Sequence, residues 1–425
     1  MRLAFSDLIL SALPIVNRLR EHHFEAFFVG GAVRDTVLGL PIKDVDIATS
    51  ARPEQVLELF EHCIPTGLQH GTITVINNDI GYEVTTFRLE SAYEDHRKPE
   101  SVLYITELEG DLLRRDFTMN AMALAADGVL HDPYGGMADL RSNRLRSVGD
   151  PNARFQEDAL RMLRAVRFIG VYRLIPTYRT WRALRKHRAL LSFIAMERVQ
   201  AELDKMLTGG SPQRALHFAV ASGLLLHLKE PFCDEAELAI RQAEKSDGAA
   251  ERFARLHELA AVDLRWAALA IGLDLSVDVA QQVTKVLRFS NSRSKLILSM
   301  VEIHRDMLKG VTEASGRELR LKWLSLAIRY GKQALMEWLD VLRVLPEAKL
   351  SFSDSLLTQL NECLEQMVIS KLKQLNVNGK ELTSHMEKQA GPWVSEYLNQ
   401  LLLLVAAGEL ENEKCALLGQ ASLWN

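Results

Sequence analysis

The chain has 425 residues, of which 48% are apolar and 25% charged, with a net charge of −4 at pH 7. That length exceeds one compact core and predicts about two to four domains of ordinary globular composition. The net charge excludes a chain coated in basic residues for indiscriminate nucleic-acid binding, so any such contact is local and releasable.

Cys63, Cys233, Cys363 and Cys415 lie far apart with no Cys-x-x-Cys or Cys/His spacing. This argues against a zinc site or a disulfide framework and fits a reducing, cytoplasmic setting. The apolar residues 1–16 are interrupted by Asp7 and lead to no small-residue cleavage site. With Leu8, Ile9, Ala12, Leu13, Ile15, Val16 and Leu19 they read as an amphipathic helix rather than a leader. The run 401–407 is far too short to cross a bilayer, and no membrane role is expected.

In chain order, Phe27-Phe28-Val29 predicts a short strand entering the glycine turn Gly30-Gly31, and residues 32–38 a helix closed by Gly39. Ile42, Val45 and Ile47 around Asp44 and Asp46 are β-formers, so this pair is expected on the next strand. Alternate strand residues share a face, which aims both carboxylates the same way. Like charges so close repel and raise one pKa unless a cation neutralises them. Hard oxygen ligands with room for water and phosphate suit Mg²⁺. The upstream glycine turn lets phosphate oxygens approach backbone N–H groups at a helix start. A lone Asp-x-Asp is more often a polar strand end; the glycine turn tips the reading to metal-assisted phosphoryl chemistry.

Residues 53–60 predict a helix, and 72–76 with 82–88 a hairpin around Asn77-Asn78-Asp79. Glu83 shares a strand face with Thr85 and Phe87, where an acid needs a partner. It either joins Asp44 and Asp46, as ligand or as acceptor of a hydroxyl proton, or is a partly exposed edge-strand acid. Residues 91–100 carry too few apolar side chains to pack and read as a mobile surface loop placed to gate the site. In Arg114-Arg115-Asp116-Phe117-Thr118-Met119-Asn120, adjacent arginine forks match phosphate oxygens, Asp116 suits ribose hydroxyls and Asn120 supports that pocket. Alone, the segment is only a charged helix start. The turn Asp132-Pro133-Tyr134-Gly135-Gly136 closes this α+β region near residue 150.

Beyond 151 the strand signals fade. Residues 151–210 hold twelve Lys/Arg against five Asp/Glu, a basic, helical neck. On a helix, Glu157, Asp158, Arg161 and Arg164 share one face. The plain reading is ion pairs at helical spacing, worth a few tenths of a kcal/mol each. The sharper one is that Asp158 supplies an acceptor and Arg161 a donor fork matching the pairing edge of cytosine, or of adenine after a small reorientation. Spacing alone does not decide between them. Arg164, Arg167, Arg173, Arg179, Arg182, Arg185, Lys186 and Arg188 interleave with Tyr172, Tyr178 and Trp181. That mixture suits either a nucleic-acid backbone with an end to stack upon or a solvated helix face. Helices continue to the C-terminus with joints at 244–250, 309–316, 344–353 and 376–380. The expected organisation is an α+β head over 1–150, then an all-α neck over 151–210, body over 211–315 and tail over 316–425.

Five motifs in order resemble the class II tRNA nucleotidyltransferase and poly(A) polymerase family of polymerase-β-like nucleotidyltransferases. They are Phe28-Val29-Gly30-Gly31-Ala32-Val33-Arg34-Asp35 with Asp44-Val45-Asp46, Arg114-Arg115-Asp116-Phe117-Thr118, Asp132-Pro133-Tyr134-Gly135-Gly136, Glu157-Asp158-Ala159-Leu160-Arg161 and Met196-Glu197-Arg198. Gly67-Leu68-Gln69-His70-Gly71-Thr72 is similar to the bacillus-type CCA-adding branch; bacterial poly(A) polymerases carry a basic, phenylalanine-containing stretch there. Val377-Asn378-Gly379-Lys380-Glu381-Leu382 and Gly391-Pro392-Trp393-Val394 resemble that branch's tail.

The resemblance implies a mixed-sheet catalytic head followed by helical domains. It implies Mg²⁺ on Asp44 and Asp46 with Glu83 as third acid, and triphosphate framed by Gly30, Gly31 and Arg34. Arg115 and Asp116 would fix phosphate and ribose, with Asn120, Arg164 and Arg167 also in the nucleotide site. Asp158 and Arg161 would template the base, with Met196-Glu197-Arg198 bracing the base-reading helix. The implied partners are CTP, ATP and the tRNA 3′ end and elbow, with no obligate protein partner. The implied reaction is template-independent addition of C, C and A with release of pyrophosphate. An A-adding specialist keeps the same motifs and the loop near 91–102, whereas a CC-adding one lacks that loop. A poly(A) polymerase is a further alternative. A non-catalytic RNA-binding protein on a decayed head would have lost a carboxylate, and all three are present.

Overall fold

The apolar spacing at the N-terminus does form a helix, α1 (Asp7–Glu21), with the Ser6 hydroxyl accepting from the Ile9 amide as its cap and Ile9, Ala12, Ile15, Val16 and Leu19 as the buried stripe. Ser11 anchors it to the hairpin behind, its hydroxyl 2.7 Å from the Tyr82 hydroxyl and its carbonyl accepting from Asn77 Nδ2 at 3.0 Å. The computed structural model describes residues 1–90, 93–94, 98–99, 102–245, 252–313, 316–346 and 351–424. They divide into two compact units, Met1–Pro231 and Phe232–Asn425.

The first unit begins α1, β1 (Ala26–Val29), α2 (Gly31–Leu38), β2 (Asp46–Thr49), α3 (Pro53–Leu59), β3 (Cys63–Gly67), β4 (Thr72–Asn77) and β5 (Ile80–Thr86). Asn78 and Asp79 take φ of 50° and 62°, the left-handed pair that a two-residue hairpin turn requires. Next come β6 (Arg88–Glu90), paired with β9 (Val102–Tyr104), and β7 (Tyr93–Glu94), paired with β8 (Lys98–Pro99). Apart from β7 and β8, the segment 91–100 expected to gate the site lies outside the described residues. α4 (Leu108–Leu113), β10 (Ala123–Leu124), β11 (Leu130–His131), α5 (Gly136–Arg141) and β12 (Arg144–Leu145) complete the head.

Among the described residues seven strands form one sheet in the order β11-β10-β1-β2-β5-β4-β3. β2 and β5 run parallel and the other neighbours antiparallel, so the sheet is mixed. Val29, Ala48, Phe87, Leu112, Ala123 and Val148 make one of its buried clusters, bringing α4 onto the sheet.

Two local expectations change. Only Asp46 belongs to β2; Asp44 sits in the exposed lead-in before the strand. The helix expected through 157–164 is broken: α6 (Pro151–Glu157) ends at Asp158, whose φ of −134° and ψ of 105° are extended, and α7 (Leu160–Val171) starts afresh. β13 (Ile175–Pro176) then pairs parallel with β12, followed by α8 (Tyr178–His187), α9 (Met196–Thr208) and α10 (Pro212–Ser222).

The second unit is helical throughout its described residues. One part of its interior is aromatic, with the Trp323 and Trp338 rings 5.4 Å apart and Phe352 5.4 Å from Trp338. Another gathers Leu382, Leu401, Leu402, Val405 and Leu417, so the apolar run near 401 is core. Within the joint expected at 309–316, the helix Asn291–Glu313 continues through Lys309 and Gly310 and the next starts at Gly316. Among the described residues no helix is long and apolar enough to cross a membrane.

The turn at 132–136 is held by Asp132, whose carboxylate accepts from the Gly136 amide at 2.7 Å and the Met137 amide at 2.9 Å. A Cβ on Gly136 would lie 2.2 Å from the Thr118 carbonyl oxygen. Gly136→Ala is therefore expected to cost about 1–3 kcal/mol, read as a lower midpoint of thermal unfolding. Gly210→Ala, with nothing within 4 Å of the added carbon, is the control and stays within about 0.5 kcal/mol of the parent.

Candidate active site

Gly30 has a φ of 71°, and a Cβ there would sit 3.2 Å from Asp46 Oδ2 and 3.3 Å from Arg115 Nη1. The turn thus brings backbone, carboxylate and guanidinium together where a side chain would part them. α2 starts at this point with no side-chain cap, leaving its first N–H groups available to an anion. In the parallel pairing Asp46 stands opposite Glu83. β5 is an interior strand, and the exposed Glu83 points away from the face that buries Tyr82, Val84 and Thr86. It is therefore not an edge-strand acid. Burial, then repulsion from Asp44, lifts the Asp46 pKa to about 6; Arg115 pulls it down and Glu83 pushes it up.

Among the described residues no three His, Cys, Asp or Glu side chains gather closely enough to hold a metal ion by themselves. Asp44 and Asp46 fit Mg²⁺ in a different way, because that ion is commonly held by one or two carboxylates plus phosphate and water. Burial and the neighbouring acids disfavour the charged form of Asp46, a cost that a cation held there would relieve.

The arginine pair is fixed by a residue that the sequence reading passed over. Asp111, fully buried, accepts from Arg114 Nε at 2.8 Å and from Arg115 Nη2 at 3.2 Å. Burial alone would raise the Asp111 pKa, but Arg114 and Arg115 outweigh it and hold it low. The signal was present, since Asp111 stands three and four residues before them at helical spacing. Arg115 Nε is buried without a partner, a donor left for a ligand.

A cavity of about 920 Å³ opens here, within the size range of small-molecule sites. Of the residues expected in the site, Gly30, Gly31, Arg34, Asp44, Asp46, Arg115, Asp116, Asn120, Asp158, Arg161, Arg164 and Arg167 all line it, and Glu83 does not. The lining holds ten Arg/Lys against five Asp, a polyanion's environment in a chain that is net acidic. Lys43, His70, Arg88 and Lys205 join it unforeseen.

Its middle is one continuous network. Arg34 donates from Nε and Nη2 to Asp35, each at 2.9 Å, and from Nη1 to Asn120 Oδ1 at 2.7 Å. Asn120 Nδ2 donates to Asp116 Oδ1 at 2.9 Å, and Arg164 Nε to Asp116 Oδ2 at 2.7 Å. Burial would raise the Asp116 pKa, but Arg164 and Asn120 bring it down to about 2. The carboxylate expected to meet ribose is thus already engaged, with the Phe117 amide as a further donor at 2.8 Å.

At the far end Asp158 occupies the extended joint, its Oδ1 accepting from the Leu160 amide at 3.0 Å and its Oδ2 3.5 Å from Arg198 Nη2. Burial raises its pKa, partly offset by Arg198. Arg161 donates from Nη1 to Glu157 at 2.8 Å and from Nη2 to the Arg114 carbonyl at 2.9 Å. Both side chains still line the cavity, on opposite sides of a break rather than on one helical face.

The basic neck divides. Arg164 meets Asp116, Arg167 meets Glu202 at 2.7 Å and Arg173 meets Ser211 at 3.0 Å. Arg179, Arg182, Arg185 and Lys186 are exposed on α8 beside Tyr178, itself 75% exposed. Tyr172 and Trp181 are turned to internal partners, Arg34 and Phe218.

Comparison with known proteins accounts for this layout. A family model of the poly(A) polymerase head domain matches residues 26–146, one of an RNA- and SrmB-binding site of polymerase A matches 176–236, and one of tRNA nucleotidyltransferase domain 2 matches 258–421. The CCA-adding enzyme of Geobacillus sp. is 37% identical over 95% of this chain and 94% of its own length. The chain belongs to the CCA-adding enzyme family. The member from Bacillus velezensis is 37% identical over 95% of this chain and 96% of its own. The crystal structure of the Bacillus stearothermophilus CCA-adding enzyme in complex with CTP superimposes with a TM-score of 0.80 at 33% identity, covering 99% of this chain and 98% of that one.

The raised Asp46 pKa has a sign that can be tested. An acid whose folded pKa lies above its unfolded value costs stability as pH rises from about 4 through about 6, because the native state binds the extra proton. Asp46→Asn is therefore expected to stabilise the protein at pH 7.5 in chelator by up to about 3 kcal/mol, and to have little effect at pH 4. Thermal melts at the two pH values check this.

Proposed function

We propose that this chain is a tRNA nucleotidyltransferase that adds C, C and A to the tRNA 3′ end from CTP and ATP, releasing pyrophosphate, in a reducing cytoplasm. The observation that carries the reading is one cavity lined both by the glycine turn with Asp44 and Asp46 and by Asp158 with Arg161. Such a cavity spans a nucleotide from triphosphate to base.

The α2 N-terminus and Arg115 take the triphosphate, with phosphate oxygens approaching at Gly30 and Gly31. Asp44 and Asp46 would hold Mg²⁺, which when bound would neutralise phosphate charge and lower the pKa of the attacking hydroxyl. The tRNA 3′ oxygen attacks the α-phosphorus, the bond to the β-phosphate breaks, and the hydroxyl proton leaves toward the carboxylate group that includes Glu83. Arg34, Asn120, Asp116, Arg164 and Arg167 keep the middle of the cavity rigid, so the reacting groups meet in one geometry. Asp158 accepts from the exocyclic amino group of cytosine or adenine, and Arg161 donates to the adjacent ring acceptor after exchanging its bond to Glu157. Guanine and uracil present the wrong pattern. The protein is its own template. The neck, 151–210, reads the base, and the tail, 316–425, holds the tRNA elbow while the 3′ end grows.

Incubating the protein with tRNA transcripts ending before the first C, before the second C and before the final A, each with CTP and ATP, tests the activity. All three should be completed to CCA; extension of the last alone would identify an A-adding specialist. Asp44→Ala and Asp46→Ala should each abolish incorporation while transcript binding in a gel-shift assay survives. Arg161→Ala should relax nucleotide choice, raising UTP and GTP incorporation about tenfold or more in four-nucleotide competition. Unchanged selectivity would remove Arg161 from the templating role.

A further inference from the structure

Tyr172 closes α7 at the end opposite Asp158 and Arg161, and it reaches the helix of the glycine turn. Its hydroxyl donates to Asp35 Oδ1 at 3.2 Å. Its ring lies under the Arg34 guanidinium, 4.5 Å from the ring centroid. Phe168, one turn earlier on α7, lies 5.6 Å from the same group. Asp35 in turn holds Arg34 through two bonds of 2.9 Å. Burial pushes the Tyr172 phenol up to about 12, so it remains a donor over the whole working pH range.

α7 is therefore tied to the head at both of its ends. Near its start Arg161 bonds the Arg114 carbonyl and Arg164 bonds Asp116; just past its last turn Tyr172 bonds Asp35. Attachments near one end alone let a helix pivot about them; a further one about 12 Å along the axis from Arg164 does not. We propose that Tyr172, acting with Asp35, is a positioning residue that fixes α7 against α2. It thereby sets the separation of the base-reading end of the cavity from the triphosphate end. This inference rests on the nucleotide-transfer reading above. Tyr172 itself touches no reacting atom. Its effect passes through the register of Asp158 and Arg161 relative to Gly30, and so through how well the base and the triphosphate are held at once.

The test uses the full-length protein with Tyr172→Phe, which keeps the ring under Arg34 and removes the donor, and Tyr172→Leu, which removes both. CTP addition to a transcript lacking CCA and ATP addition to one lacking the final A are measured at a temperature where each variant is folded. Tyr172→Phe is expected to raise KM for CTP and ATP about threefold to tenfold, the worth of one hydrogen bond. Its kcat stays within about threefold of the parent, and its discrimination against UTP falls by about the same factor. Tyr172→Leu should show the same split more strongly. A lower unfolding midpoint with unchanged KM and unchanged UTP discrimination would overturn the positioning role and leave Tyr172 a packing residue. If Tyr172→Leu does not fold, Tyr172→Phe decides alone by the same criteria. If the parent adds no nucleotide, the transfer reading has failed. Equilibrium binding of CTP and UTP to the parent and to Tyr172→Phe then separates the two ideas: reduced CTP-over-UTP preference supports the tie, and an unchanged ratio overturns it.

Discussion

The absence of a side chain at Gly30 is the constraint on which the site depends. Asp46 comes from β2, Arg115 from the end of α4 and the free amides from the start of α2, and all converge on that one carbon. A methyl group would have to displace a carboxylate and a guanidinium, and the positive φ would be strained with any side chain. With glycine there, a carboxylate and a guanidinium approach the start of a helix that no side chain caps.

Charge compensation organises everything around that point. Asp111 has Arg114 and Arg115, Asp116 has Arg164, Asp35 has Arg34 and Asp158 has Arg198. Arg114 and Arg115 hold Asp111, and Arg164 holds Asp116, below the usual carboxylate range, whereas at Asp158 burial outweighs Arg198. Asp46 differs: Arg115 pulls its pKa down, but burial, Asp44 and Glu83 push it up and prevail. This carboxylate, lifted to about 6, is also the one that stands beside the glycine turn.

The base-reading end follows another logic. Arg161 and Asp158 are satisfied by Glu157, the Arg114 carbonyl, the Leu160 amide and Arg198. A buried guanidinium or carboxylate left unpaired is costly, so these internal partners keep the pocket from collapsing around orphaned groups.

The short-range signals were legible. The glycine turn, the helix closed by Gly39, the hairpin at Asn78-Asp79, the arginine pair and the motif order all rest on residues close in sequence, where periodicity and backbone preference act directly. Other features were not. Asp44 lies outside β2 although its neighbours favour a strand, and the expected helix breaks at Asp158, whose carboxylate finds the Leu160 amide and Arg198 instead of a helical face. Tyr172 resembled a stacking platform for RNA, yet its partner, Asp35, is 137 residues away in the chain. Arg34, expected to frame phosphate, lines the cavity and also bonds Asp35 and Asn120, the latter 86 residues on. The sequence by itself determined which chemistry-bearing residues exist and which local turns present them. Only the tertiary structure decided which of them line one cavity and which pair with each other, because burial and charge pairing depend on neighbours that no local pattern encodes.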